Sequence, residues 1–265
     1  MADFPIGKAY DGGDWRIDPS QAAQFAEVLG MGVDAVPPMF HVRGVVPKLL
    51  QPIQADPELD VDVLRLVHAG HDVRFHRLLE PGDVVRLRGT LVGVSDKRAG
   101  RLYTLGVRGD VDDVPVFEGN TTLFVRAAAP PPSLGSSSGG ARPRGPDPDV
   151  EITQVTQPDL AERYAPVSGD LNPIHTDPEV AREAGLDGCI LHGLCTLGLA
   201  QRDLVQHLAG GDVSRLRRLG VRFARPVVPG SALTLRVWLG DDAHRFETRD
   251  AAGKAVLSHG VVELS

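Results

Sequence analysis

Val73-Arg74-Phe75-His76-Arg77-Leu78-Leu79-Glu80-Pro81-Gly82 returns later in the chain as Val221-Arg222-Phe223-Ala224-Arg225-Pro226-Val227-Val228-Pro229-Gly230. The offset is constant at 148 positions, and Val, Arg, Phe, Arg, Pro and Gly coincide. A strand-like alternation follows each copy, Val84–Arg88 in the first and Ala232–Trp238 in the second. Two further strand-like runs close each half: Leu102–Val107 and Val114–Val125, then His244–Arg249 and Ala255–Leu264. Clusters of Gly, Asp and Lys separate them, as hairpins require. A repeat of this size predicts duplication of one structural unit.

The front of each half reads as helix. In the second half Thr156 is placed to cap a helix, Pro158 suits its first turn, and Leu160, Tyr164 and Ala165 have helical spacing. Leu191–Leu208 is apolar on most faces, the pattern of a buried helix. Met39–Leu50 is its weaker counterpart in the first half. Each unit is therefore helices first, then about four antiparallel strands, an α+β arrangement. A long buried helix wrapped by an antiparallel sheet satisfies this order.

Between the halves, Ala127–Asp149 reads AAAPPPSLGSSSGGARPRGPDPD. It has almost no large apolar side chains and cannot build a core, so it reads as a linker. The expected organisation is an N-terminal unit over residues 1–126, a linker over 127–149 and a C-terminal unit over 150–265. Gly135–Gly139 within the linker matches the G-x-S-x-G nucleophile pattern. It lacks the strand and helix that pattern needs, so it reads as a coincidence of low complexity.

The chain has 265 residues, 42% hydrophobic and 24% charged, enough to bury a core. Its formal net charge of −7 argues against general nucleic-acid binding. A few local arginines can still bind an anionic small ligand. No apolar run reaches the ~20 residues of a membrane helix. Met1–Pro5 lacks the basic start and apolar core of a signal peptide, so a cytoplasmic protein is expected. Cys189, His192 and Cys195 are spaced by three, but offer only three ligands; two packed thiols are expected, and no metal. His68, His71 and His76 likewise read as surface or packing histidines.

The stretch with chemical content is Tyr164-Ala165-Pro166-Val167-Ser168-Gly169-Asp170-Leu171-Asn172-Pro173-Ile174-His175-Thr176-Asp177-Pro178. It lies between two helices and is rich in Gly, Pro, Asn and Asp, hence a loop. Asp170 and His175, with Asn172 between them, can divide general base and general acid duties near neutral pH. Gly193 follows at the expected start of the buried helix. Its N–H would be an unpaired donor there, reinforced by the helix dipole and open to close approach. Such a donor suits a developing oxyanion.

The run Y-A-P-V-S-G-D-L-N-P-I-H, then D-P, then I-L-H-G at Ile190–Gly193, resembles the MaoC-like dehydratase and (R)-specific enoyl-CoA hydratase family. Phe223–Gly230, F-A-R-P-V-V-P-G, resembles another stretch of that family. The resemblance covers most of the second half and only the strand region of the first. It implies a tandem, double hot-dog fold and a thioester substrate. It also implies reversible syn addition of water to a trans-2-enoyl thioester, giving the (R)-3-hydroxyacyl thioester. Asp170 and His175 would then activate water and manage the α-carbon proton. Asn172 would place the water, Gly193 N–H would hold the thioester oxygen, and Ser168, Tyr164 and His192 would support the site. Arg222 and Arg225, in a run with Arg215, Arg217 and Arg218, are either a solvated strand face or a contact for phosphates of CoA or of a carrier-protein arm. No metal or redox cofactor is implied; CoA or phosphopantetheine is the substrate handle.

The first half departs from the pattern. Ten residues separate Gly30 from His41, against twenty-two between Gly169 and His192. The missing segment is the one carrying Asp170, Asn172 and His175, and Leu29–Val36 offers only Asp34. A catalytically silent half that makes room for a bulky acyl tail is expected. The rival readings are a hot-dog thioesterase and an acyl-thioester binding protein without turnover; further homodimerisation is possible.

Overall fold

The computed structural model describes residues 4–32, 35–127 and 146–265. Among the described residues ten strands form one antiparallel sheet in the order β1-β3-β4-β5-β2-β7-β10-β9-β8-β6. The first half supplies β1 (Ala9–Arg16), β2 (Leu66–Phe75), β3 (Val84–Lys97), β4 (Gly100–Val111) and β5 (Val114–Arg126). The second supplies β6 (Val150–Val155), β7 (Leu216–Phe223), β8 (Ala232–Trp238), β9 (His244–Asp250) and β10 (Ala255–Leu264). Each half thus has five strands, not four, and opens on a strand rather than a helix. The added strands are the two sheet edges. One face of an edge strand is enough to bury, so β1 can be Gly- and Asp-rich and β6 short, and neither carries a strong strand signal.

The halves join where β2 pairs with β7, and the register carries the repeat. Asp72 lies opposite Gly220, its own equivalent 148 positions later, so a pseudo-twofold axis passes between them. Gly220 is needed there: a Cβ would come within 2.9 Å of the Asp72 carboxyl carbon. That carboxylate forms two bonds with Arg218, at 2.8 and 2.7 Å, and Glu263 bridges Arg218 to Arg74 of the other half.

The helices are α1 (Pro19–Val28), α2 (Val42–Val45), α3 (Gln51–Gln54), α4 (Leu160–Ser168), α5 (Pro178–Glu183) and α6 (Gly193–Leu208). α6 is buried along most of its length and packs on β7 and β2. It starts at Gly193 because Leu191 is taken up in a bridge to Val227, with Leu191 N–H donating to the Val227 carbonyl at 2.7 Å. Its counterpart is a continuous helical run of changing pitch rather than a regular α-helix: a 3-10 turn (Pro38–His41), α2, a π-helical turn (Val46–Leu50) and α3. Pro47 and Pro52 lack the N–H that a regular α-helix would use, which breaks the ladder at both.

Thr156 does not cap α4, whose N-terminal flank is Asp159. Its hydroxyl instead accepts from Gly230 N–H at 3.0 Å and donates to the Ser231 carbonyl at 3.1 Å, tying the end of β6 to the turn before β8. Among the described residues one large hydrophobic core runs through both halves, from Phe25 and Met39 to Leu197 and Phe246. Across the halves α1 packs on α4, with the Phe25 and Tyr164 rings 5.7 Å apart. No helix among the described residues is long and apolar enough to cross a membrane.

Candidate active site

Helix α4 ends at Ser168, and Gly169 turns the chain out of it with φ +77°, a left-handed C-cap that favours glycine. The first half packs directly on this turn. The Gln51 amide donates to the Gly169 carbonyl at 3.3 Å, and Arg43 and Pro47 crowd its Cα. The Ser168 hydroxyl donates to the Ala165 carbonyl and accepts from Asp170 N–H, both at 3.2 Å. Asp170 Oδ1 accepts from Asn172 N–H, and Asn172 Oδ1 accepts from Ile174 N–H, both at 3.3 Å. Two successive Asx turns thus lead into the 3-10 turn Pro173–His175. A small cluster of Ile174, Ala184 and Ile190 anchors this loop and α5.

Two carbonyls fix the histidine tautomers, because a carbonyl can only accept. His175 Nδ1–H donates to the Ile190 carbonyl at 2.8 Å, leaving the Nε2 lone pair for chemistry. His192 Nε2–H donates to the Asp170 carbonyl at 3.0 Å, and its Nδ1 is buried without a partner. The two rings stack with centroids 3.7 Å apart and planes at 26°. Tyr164 backs His192 at 5.1 Å, with its hydroxyl buried and unpartnered.

Burial sets the charge states. It pushes His175 below the ordinary histidine range, opposed by Asp170, and His192 down to about 3, with His175 adding to the effect. Burial pushes the Asp170 carboxyl up, but the imidazoles of His192, His175 and His68 and the Asn172 N–H outweigh it, and the net direction is down. At neutral pH the pair is an Asp170 carboxylate beside a neutral His175.

Asp170, Asn172, His175 and Gly193 line one cavity of about 1280 Å³. A Cβ on Gly193 would meet the Phe223 ring at 3.1 Å, so the residue at the first turn of α6 must be small. Arg222 and Arg225 also line this cavity, Arg225 with one guanidinium nitrogen donating to the Ala255 carbonyl at 3.2 Å; Arg215 and Arg217, which bond main-chain carbonyls, and Arg218, which is spent on Asp72 and Glu263, do not line it. Of the basic run, only Arg222 and Arg225 therefore lie on the cavity. The first half contributes walls from the irregular helical run (Val46, Gln51) and from the sheet (Leu66, Leu102, Phe124).

Sequence reasoning missed His68, which lies on the same cavity wall. The two histidines grouped with it lie elsewhere. His71 pairs with His41 at 3.0 Å in the core, and His76 reaches Glu118 at the surface. β2 is bulged between His68 and Gly70, so plain alternation along the strand does not assign the side on which His68 lies. Nothing in the local sequence says that His68 faces the second half's loop.

Asp170, His175 and His192 offer ligand atoms within 4.8 Å of one another. Stacked rings aim their in-plane lone pairs side by side rather than at one point, an arrangement that suits proton transfer better than tetrahedral metal binding. Cys195 is buried, its thiol pushed up by burial, and Cys189 is half-buried. The G-x-S-x-G coincidence, Asp34 and most of the linker lie outside the described residues.

Comparison with known proteins gives this arrangement its relatives. Residues 141–260 match the model of the MaoC like domain, and residues 17–118 match the FAS1-like dehydratase domain region. The 3-hydroxyacyl-thioester dehydratase Y of Mycobacterium tuberculosis is 33% identical over 213 residues, covering 75% of this chain and 72% of its own. The mouse peroxisomal multifunctional enzyme type 2 is 41% identical over 118 residues, and the chain spans only 16% of its length. A solved structure from M. tuberculosis described as a double hotdog fold superposes with a TM-score of 0.65 at 15% identity, covering 99% of this chain and 97% of its own. The two pseudo-symmetric halves around the β2–β7 seam are thus the two units of a double hot-dog, and the chain belongs to the MaoC-like dehydratase family.

Proposed function

We propose that the protein is a hydro-lyase that reversibly hydrates trans-2-enoyl thioesters to (R)-3-hydroxyacyl thioesters. One observation carries this: the free Nε2 lone pair of His175 and the Asp170 carboxylate open on the same cavity as the N-terminal end of α6. A water between the two groups finds acceptors for both of its hydrogens. Its oxygen adds to the β carbon while the enoyl electron pair shifts toward the thioester oxygen, where Gly193 N–H and the helix dipole stabilise the charge. The proton lost by water passes to His175, whose imidazolium is stabilised by Asp170, and then to the α carbon on the same face. The sum is one water added and no change of oxidation state, so the step requires no redox cofactor. The Asn172 side-chain oxygen is held by Ile174 N–H, which leaves its amide N–H to orient the water.

CoA or a phosphopantetheine arm is the handle, with Arg222 and Arg225 placed for its phosphates. The first half supplies part of the cavity wall. Its irregular helical run and the apolar side chains of Leu66, Leu102 and Phe124 accommodate the acyl tail.

The test is turnover of a trans-2-enoyl-CoA series from short to long chains, followed by loss of the conjugated enoyl absorbance and by product mass. Gain of one water, abolished in Asp170→Asn and His175→Ala, is the expected result. Release of free CoA would instead identify a thioesterase. Binding without turnover on CoA and carrier-bound esters alike would refute the reading.

A further inference from the structure

The sequence has nine histidines, and eight of them make a hydrogen bond through a ring nitrogen. His68 is the exception. It sits on β2, and its Nε2 is buried with no partner among the described residues. A buried polar atom left unpaired costs about 1–3 kcal/mol unless something else satisfies it, so its placement calls for a reason.

The surroundings supply one. His68 lines the cavity that holds Asp170, His175 and Gly193, yet it belongs to the other half of the chain. Its ring packs edge-on against Phe223, with centroids 6.2 Å apart at 69°. The same Phe223 ring packs against the Cα of Gly193. His68 and Gly193 therefore share one aromatic spacer on the wall that the thioester must pass. Asp170 and His175 lie near enough to bias the charge on the ring, and burial keeps it neutral. A neutral imidazole carries one N–H, here uncommitted to protein.

We propose that His68 is a catalytic residue supplied by the first half: its N–H hydrogen-bonds the thioester carbonyl oxygen and forms, with Gly193 N–H, a two-donor oxyanion site. This rests on the hydratase reading above. It makes the seam between the halves part of the chemistry, and makes the second half incomplete without the first. A neutral donor also fits the task. An imidazolium at this point would hold the ground-state carboxylate of Asp170 and compete with water for it, whereas a neutral N–H strengthens its bond only as charge develops on the oxygen.

The test uses the full chain with His68→Ala and His68→Asn, the second retaining an N–H donor, after each is shown to unfold at the wild-type urea midpoint. Loss of one oxyanion donor lowers kcat roughly a hundredfold or more. We expect that loss in His68→Ala with KM nearly unchanged, and partial recovery in His68→Asn. A second readout is the infrared carbonyl band of a bound saturated acyl-CoA labelled with ¹³C at the thioester. Wild-type protein should shift it to lower frequency, and His68→Ala should shift it less. Unchanged kcat, a change confined to KM, or an identical carbonyl band in both proteins would overturn the proposal while wild-type turnover leaves the hydratase reading intact. Absence of wild-type turnover would strike the hydratase reading itself, and the carbonyl band would still decide the contact.

Discussion

Gly169 joins helix α4 to Asp170, and its replacement by alanine separates backbone strain from side-chain chemistry. At φ +77° an L residue pays about 1–2 kcal/mol for the left-handed conformation. The new Cβ would lie 2.8 Å from the Arg43 guanidinium, the far end of a flexible side chain that can swing away, and 3.4 Å from Pro47 Cδ, an ordinary contact. The expected cost is therefore the backbone term, about 1–2 kcal/mol, which is a roughly 5- to 30-fold change in the folded-to-unfolded ratio. In a chain of this size each kcal/mol lowers Tm by about 2–4 °C. The assay is urea unfolding of Gly169→Ala and Gly169→Asn, with the slope m compared as well as the midpoint. Asparagine tolerates the left-handed region better, so it should lose less than alanine. Hydratase activity should fall further than the lost folded population explains, because the same turn aims Asp170. Alanine as stable as wild type, or asparagine worse than alanine, would refute the argument.

Asp170→Asn and His175→Ala should each lower kcat by about 10²–10⁴ while leaving the urea midpoint within about 1–2 kcal/mol, checked by steady-state kinetics and denaturation. Burial pushes His41 down to about 4 and His192 to about 3, below the unfolded value of about 6.5, so the unfolded chain binds more protons in that interval. Stability should therefore fall as pH drops below about 6.5, by up to about 1.4 kcal/mol per pH unit for each such ring, and His41→Gln should flatten the profile of urea midpoint against pH. Arg218→Ala should cost less than about 1 kcal/mol and its effect should shrink with salt, because Arg218 and Asp72 side chains are 33% and 45% exposed. A larger loss in the urea midpoint would mean that this ion pair holds the seam of the two halves.

The sequence alone carried the repeat, and with it the duplication, because Val73–Gly82 and Val221–Gly230 build equivalent strands and turns from the same local rules. It carried the Asp170–Asn172–His175 loop for a similar reason: Asx turns and a glycine C-cap are written in neighbouring residues. Edge strands β1 and β6 were not legible, since an edge needs little apolar patterning. The start of α6 at Gly193 was expected from the sequence, and the long-range bridge of Leu191 to Val227 is what holds it there. His68 shows the limit most clearly. In sequence it is one of three histidines near a strand, and its neighbours explain nothing about it. Its place beside a loop of the other unit comes from the packing of β2 against β7 together with the bulge between His68 and Gly70. Local propensity acts between adjacent residues, whereas a site built across a sheet seam exists only once that packing has formed.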